Sequence, residues 1–143
     1  MQNGKLQSYF FYKKFTISTA ILEDLRLLFF QKTIRRTVIA LVGELGSGKT
    51  YFVKSLIGDD AESPSFVLRN EYQVVVNQST FVVAHWDLYR LKNFPSELLF
   101  DDADTIFVEW ADKNSETYFL LQPSFIVYVS SDHQYYVFSS SQA

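Results

Sequence analysis

Residues 37–50 read Thr-Val-Ile-Ala-Leu-Val-Gly-Glu-Leu-Gly-Ser-Gly-Lys-Thr, and this stretch decides the fold. Its first part, residues 37–42, is a continuous apolar run of the kind that forms a strand buried on both faces of a parallel sheet. A glycine-rich segment follows directly, and an amphipathic helix is predicted from about residue 49 to residue 57. The order of strand, glycine-rich loop and helix predicts an α/β protein.

The glycine-rich segment has the spacing Gly-x₄-Gly-Lys-Thr, which is typical of a loop that binds the phosphates of a nucleotide. Glycines allow the backbone N–H groups to form an anion nest, and the following helix adds its positive end. Lys49 supplies charge for the β- and γ-phosphates, and the Thr50 hydroxyl is a suitable Mg²⁺ ligand. We expect ATP and Mg²⁺ as cofactors. ATP is preferred over GTP because the chain lacks the Asn-Lys-x-Asp motif that recognises guanine. The predicted contacts are Glu44, Leu45, Gly46, Ser47, Gly48, Lys49, Thr50 and Tyr51.

The rest of the chain predicts one domain built around this unit. Strands are predicted at residues 10–17, 71–77, 80–85, 105–108, 124–130 and 134–139, and helices at 19–32 and 94–99. We therefore expect a single P-loop NTPase domain over residues 1–143, with a mixed, mainly parallel central sheet flanked by helices and a C-terminal antiparallel hairpin. Residues 1–14 and 139–143 are expected to be loosely ordered.

Composition limits the possible partners and the compartment. The net charge of −3 gives no basic field with which the chain alone would grip nucleic acid. The chain has no cysteine, which excludes disulfides and thiolate metal sites. No apolar run is long enough to cross a membrane or to resemble a secretory signal, so a cytoplasmic location is expected.

Two acids stand where predicted strands end, and a P-loop site needs such a carboxylate. Asp87 follows residues 81–86, and Glu109 follows residues 105–108. In open α/β sheets that edge faces the ligand, so both are predicted as catalytic acids and as metal ligands beside Thr50. Their roles are interchangeable at this stage: one would hold Mg²⁺, and the other would orient water or share the metal. Each could instead be only the first solvated residue after a strand.

Other polar and aromatic residues give weaker signals. The acids Asp101, Asp102 and Asp104 are predicted to lie in a solvated loop. His85 is predicted to be structural or exposed, because His133 is far away in sequence and the two lack metal-ligand spacing. Each tryptophan neighbours one of the two acids; Trp86 and Trp110 are interpreted as core or pocket-wall residues that could flank the nucleotide.

Several segments together resemble the TsaE family, small bacterial P-loop ATPases needed for threonylcarbamoyladenosine modification of tRNA. The matching segments are residues 43–50, Ser63-Pro64-Ser65-Phe66, Asn70-Glu71-Tyr72, His85-Trp86-Asp87-Leu88-Tyr89-Arg90-Leu91 and Val108-Glu109-Trp110, in the family's order. Ser65 stands where the family usually has threonine, and the stretch between Arg90 and Glu109 is short for the family.

The resemblance implies an ATPase that acts on a complex of TsaD and TsaB, with tRNA reached only through that complex. It also implies that Ser65 belongs to a switch-like loop that contacts the nucleotide, and that Asp87 and Glu109 are active-site acids. Trp110 is predicted to lie beside the nucleotide.

Three other functions compete with this one. A small-molecule kinase would need clustered arginines, but the adjacent pair Arg35 and Arg36 precedes the loop strand. A GTPase would need the missing guanine motif. A non-catalytic regulatory subunit would bind nucleotide only to hold a conformation. Arg90 is the best internal candidate for an arginine finger, but a surface or structural role is equally compatible with its position.

Overall fold

A computed structural model of the chain describes residues 8–32, 36–58, 68–113 and 116–140. The strands are β1 Phe10–Phe15, β2 Thr37–Gly43, β3 Arg69–Val76, β4 Ser79–Asp87, β5 Thr105–Glu109, β6 Phe125–Val129 and β7 Tyr135–Ser139. The α-helices are α1 Thr19–Phe29, α2 Lys49–Ile57 and α3 Glu116–Leu121. Short 3₁₀ helices span Ser96–Phe100 and Ala111–Lys113.

The strands form a 7-stranded sheet in the order β1-β7-β6-β2-β5-β4-β3. The central strands β6, β2, β5 and β4 are mutually parallel. The outer pairs β1–β7, β7–β6 and β4–β3 are antiparallel. The predicted mixed sheet with a parallel centre and a C-terminal hairpin is thus confirmed.

The apolar run of β2 lies at the middle of the sheet because it can be buried on both faces. Ile39 and Leu41 pack on one face with α1 and α2, while Val38 and Ala40 pack on the other face. The second face is covered by the 3₁₀ helices and α3 through residues such as Leu98. Burying both faces of a parallel sheet explains why this run does not alternate with polar residues.

Register brings the functional part of the chain to one edge of the sheet. Glu109 at the end of β5 pairs with Leu41 of β2 and with Asp87 of β4. The loop that follows β2 therefore lies next to both predicted acids. On the face of the sheet that α1 and α2 cover, Arg26 of α1 donates hydrogen bonds to two carbonyl oxygens near the end of α2. These bonds join the two helices.

The prediction of a solvated acidic loop is wrong for Asp101, whereas Asp102 is exposed as predicted. Asp101 is buried and accepts hydrogen bonds from Arg69, from Trp86 Nε1 and from the Ala103 backbone. Burial opposes its ionisation, but these donors outweigh burial and hold the pKa of the Asp101 carboxyl below its usual range. Asp104 likewise accepts a hydrogen bond from a backbone N–H of β4. Asp101 and Asp104 thus tie the segment before β5 to β3 and β4.

Other expectations also need correction. Residues 10–14, expected to be loosely ordered, form most of β1, which pairs with β7. Ser139, at the other expected loose end, closes β7. The helix expected at residues 94–99 is a single 3₁₀ segment. The sequence interpretation missed α3, whose six residues give too little periodicity to detect.

Candidate functional site

The glycine-rich loop connects β2 to α2, and two of its glycines have backbones that side chains disfavour. Gly46 has a φ of +78° and Gly48 a φ of +121°. A Cβ on Gly48 would lie 2.7 Å from Tyr135 Oη, whereas one on Gly46 would meet no described atom within 4 Å. Position 48 therefore needs glycine both for its backbone conformation and because a side chain would not fit. Position 46 needs glycine for its backbone conformation alone, since the space beside it is open.

Lys49 begins α2 and turns its side chain back over the loop. Its Nζ donates hydrogen bonds to the carbonyl oxygens of Gly43 and Glu44, at 2.6 and 3.0 Å. The same atom lies 4.1 Å from the centre of the Trp110 ring. Burial lowers the pKa of Lys49 from its ordinary value, against the attraction of Glu109 and other nearby acids. A cation held this way has little access to water, so an anion close to Nζ would be strongly favoured.

Glu109 joins the loop helix to the sheet. Thr50 Oγ1 donates a 2.8 Å hydrogen bond to Glu109 Oε2, and His85 Nε2 lies 2.5 Å from the same oxygen. Glu109 is only 3% exposed. Because the threonine hydroxyl donates its hydrogen bond to the carboxylate, the lone pairs of Oγ1 are left for another partner. Hydroxyl and carboxylate oxygens are the ligands that Mg²⁺ prefers.

Asp87 lies beside Glu109 at the paired ends of β4 and β5. Its Oδ1 accepts a hydrogen bond from the Tyr89 backbone N–H at 2.9 Å, which turns the chain away from the sheet. Tyr89 in turn contacts Trp110 with ring centres 4.8 Å apart. Trp110 has a φ of +61°, an unusual conformation for a bulky residue, and this turn brings its ring over Lys49.

These groups enclose a cavity of about 210 Å³. Every described residue that lines it belongs to the set predicted from sequence: Leu45, Gly46, Gly48, Lys49, Thr50, Tyr51, Asp87, Glu109 and Trp110. Of the other predicted contacts, Glu44 contributes a carbonyl to Lys49, and Ser47 is buried within the loop. Ser65 lies outside the described residues.

A second cavity of about 570 Å³ adjoins the same loop. It shares Gly46, Gly48 and Tyr51 with the first cavity. Its far wall consists of the β6–β7 turn and the first residue of β7, at residues 132–135, together with residues 16–17 between β1 and α1. The two cavities therefore meet along the glycine-rich loop, and together they offer an extended groove rather than an isolated phosphate-sized space.

Sequence reasoning missed three side-chain contacts at the site, two of which support the loop. His133 Nδ1 lies 2.6 Å from the Ser47 carbonyl oxygen, and Tyr135 Oη donates to the Gly48 carbonyl oxygen at 3.2 Å. His85, predicted to be structural or exposed, is buried and contacts Glu109. A signal existed for His85, because residues 85 and 87 of a strand point to the same face. The other two contacts join distant parts of the chain and leave no local pattern.

The donor set suits a magnesium–nucleotide complex rather than a metal held by protein alone. Over the described residues, no group of three or more His, Cys, Asp or Glu side chains could hold a metal ion. Mg²⁺ usually takes one or two carboxylates and completes its shell with phosphate oxygens and water. Thr50, Glu109 and Asp87 beside the loop match that pattern. In the part of the chain that the structure describes, no helix has the length and apolar character to cross a bilayer.

A glycine-rich loop between a buried parallel strand and a helix, with Lys49 and Thr50 opposite two strand-end acids, defines a nucleotide-binding protein of the P-loop class. Residues 18–135 match the family model described as threonylcarbamoyl adenosine biosynthesis protein TsaE. The chain belongs to the TsaE family.

Curated relatives carry the same family name. The protein named tRNA threonylcarbamoyladenosine biosynthesis protein TsaE from Rickettsia felis is 36% identical over 87 residues, which cover 52% of this chain and 48% of that protein. Its namesake from Aquifex aeolicus is 34% identical over 93 residues, covering 59% of this chain and 65% of the relative. The chain thus spans about half the length of the first relative and just under two thirds of the second.

A solved structure shares the architecture. The crystal structure of Bacillus subtilis YdiB superposes with a TM-score of 0.55 and covers 94% of this chain and 87% of that chain. The sequence identity is 20%, so the likeness shows the fold alone.

Proposed function

We propose that this chain is an ATP-binding and slow ATP-hydrolysing subunit that supports threonylcarbamoyladenosine modification of tRNA by acting on a complex of TsaD and TsaB type proteins. The observation that carries the proposal is the placement of Lys49, Thr50 and Glu109 around one phosphate-sized cavity. Family membership supports the pathway. The described sheet, continuous from β1 to β3, supports the prediction that residues 1–143 act as one domain.

The loop would hold the phosphates of ATP through its backbone N–H groups, the N-terminus of α2 and Lys49. In the described arrangement Lys49 Nζ is occupied by two carbonyl oxygens, so nucleotide binding would transfer its hydrogen bonds to phosphate oxygens. Thr50 and Glu109 would hold Mg²⁺, because their mutual hydrogen bond leaves oxygen lone pairs for it. The ion would supply neutralisation of the charge that develops on the β- and γ-phosphates.

Asp87 would orient the attacking water or share the metal, since it lines the same cavity on the strand next to Glu109. The base would lie in the larger cavity. That cavity begins at Gly46 and Gly48, where the phosphates would end, and Tyr51 at its edge is exposed and can stack on a planar ring.

The residues that line the cavity support the proposal that activity depends on partners. Within the described residues, no arginine lines the 210 Å³ cavity, and Arg90 is exposed. P-loop hydrolysis without a placed arginine is slow, and an arginine supplied in trans raises the rate by about 10³–10⁵-fold. The net charge of −3 does not favour direct tRNA binding, so we propose that tRNA is reached through the partners. A cytoplasmic location stays a prediction.

A phosphate-release assay tests the proposal. The purified chain alone should hydrolyse ATP at a negligible rate, and addition of a TsaD–TsaB pair should stimulate it. No phosphate release in either condition, despite ATP binding, would favour the non-catalytic regulatory subunit. Robust release by the chain alone, unchanged by the pair, would favour a self-sufficient ATPase. Transfer of the phosphate to an added small molecule would identify a kinase.

A further inference from the structure

His85 lies on β4, away from the phosphate loop, and its side chain is completely buried. One of its ring nitrogens, Nε2, lies 2.5 Å from Glu109 Oε2. Among the described residues, the other ring nitrogen, Nδ1, is buried without a hydrogen-bond partner. The histidine therefore makes one polar contact there, and that contact is with a predicted active-site acid.

The unpartnered nitrogen fixes the direction of this hydrogen bond. An ionised carboxylate can only accept, so a proton on Nε2 satisfies Glu109. Placing the proton on Nδ1 instead would bury an unsatisfied N–H and leave two acceptors facing each other at 2.5 Å. The geometry thus assigns a proton to Nε2, which donates to Glu109 Oε2.

We propose that His85 is a positioning residue that holds the Glu109 carboxylate in the orientation that binds Mg²⁺; this inference rests on the proposed ATP-dependent function. Glu109 Oε2 receives donors from two elements, His85 on β4 and Thr50 on α2. The other oxygen, Oε1, receives neither of these bonds and is left for the metal. A glutamate has three rotatable side-chain bonds, and two converging donors remove most of that freedom.

Strand geometry makes His85 suited to this task. Residues 81, 83 and 85 of β4 share one face of the sheet, which is the face on which α2 packs. Phe81 and Val83 are buried apolar residues of the core, so a polar ring at the third position breaks the pattern. Burying an imidazole among such residues is costly unless its hydrogen bond is made, and here the bond goes to the acid beside the loop. Groups that orient a metal ligand typically change metal affinity by about 10–100-fold when removed.

Two amide variants of different reach test the idea. In His85→Gln the amide N–H lies near the former Nε2 and can still donate to Glu109; in His85→Asn the amide is too short. Binding of Mn²⁺ together with a non-hydrolysable ATP analogue is measured by electron paramagnetic resonance. We expect about 10–100-fold weaker Mn²⁺ binding for His85→Asn and near wild-type binding for His85→Gln. Affinity for the analogue without metal should be unchanged in both.

A stability control separates positioning from packing. Val83→Ala removes buried volume from the same strand and face without touching the Glu109 contact. It should lower the Tm while Mn²⁺ affinity stays at the wild-type value. If His85→Asn does not fold, His85→Phe replaces it, since the ring volume is kept and only the donor is lost.

A double-mutant cycle with Glu109→Gln closes the test. If His85 acts through Glu109, then His85→Asn should weaken Mn²⁺ binding no further once the carboxylate is gone. Wild-type Mn²⁺ affinity in His85→Asn, or an undiminished effect in the Glu109→Gln background, would overturn the positioning role while leaving the proposed function standing. Absence of analogue binding by the wild-type chain would overturn the proposed function, and this inference with it.

Discussion

Gly48 gives a direct test of the loop geometry, because two independent obstacles oppose a side chain there. Its φ of +121° is rarely adopted by residues with a Cβ, and a Cβ would lie 2.7 Å from Tyr135 Oη. Gly46 is the matched control: its φ is +78°, and a Cβ there would meet no described atom within 4 Å. Comparing Gly48→Ala with Gly46→Ala therefore contrasts a positive-φ glycine that has a close contact with one that has none.

The magnitudes follow from these distances. Gly46→Ala should lower the free energy of unfolding by about 1–2 kcal/mol, which is the cost of a left-handed backbone for a residue with a Cβ. Gly48→Ala should cost about 1–3 kcal/mol for its backbone. Overpacking adds about 1–3 kcal/mol, toward the low end because Tyr135 Oη is the far end of a side chain that can shift. We expect Gly48→Ala to be the more damaging change, by about 2 kcal/mol.

Urea denaturation of the single and double variants provides the measurement. Tyr135→Phe alone loses the hydrogen bond to the Gly48 carbonyl oxygen and should cost about 1 kcal/mol. In the Gly48→Ala background it should cost less than that or become stabilising, because the next ring atom, Cζ, is at an ordinary 3.7 Å from the new Cβ. Equal losses for the two alanine variants, or additivity with Tyr135→Phe, would refute the contact argument.

Three further predictions concern charge. Lys49→Ala should weaken ATP binding strongly while the fold survives, because the main side-chain cation beside the phosphates is lost; equal affinities in an ATP titration would contradict the loop assignment. Glu109→Gln and Asp87→Asn should each lower partner-stimulated turnover by more than about tenfold while nucleotide still binds; normal hydrolysis by either variant would show that its role is wrong. Because folding lowers the pKa of Asp101, its ionised carboxylate stabilises the fold fully above pH 3.8, the pKa in the unfolded chain. This contribution is lost as the pH falls from 3.8 through the lower pKa of the folded state. The stability gap between wild type and Asp101→Asn, followed by urea unfolding from pH 7 downward, should therefore narrow in acid; a constant gap would contradict it.

The sequence was sufficient for the parts of the fold that local patterns encode. The buried run of β2 and the glycine spacing predicted the strand, the loop and α2, and the apolar runs before Asp87 and Glu109 placed both acids at one edge. These predictions succeed because burial on both faces and positive φ each demand particular residue types over a short stretch.

What the sequence could not give are contacts between distant segments. Asp101 looks like a loop residue until Arg69 and Trp86 are brought against it by the β3–β4 hairpin. His85 looks isolated until β5 pairs beside β4. In both cases a polar residue can be buried because it has a hydrogen-bond partner. That partner is distant in sequence, so local sequence patterns do not reveal it.

The bracing of the phosphate loop by the β6–β7 turn has a consequence for the order of folding. The Ser47 carbonyl oxygen contacts the His133 side chain, 86 residues later in the sequence, and the Gly48 carbonyl oxygen contacts the Tyr135 side chain, 87 residues later. Among the described strands, β1 comes earliest in the sequence and pairs with β7, which comes latest. During synthesis the loop therefore emerges well before its supports, and β1 emerges well before its partner β7. Contacts between segments far apart in sequence slow folding. The nascent chain should therefore become able to hold nucleotide only when the β6–β7 hairpin packs against the loop.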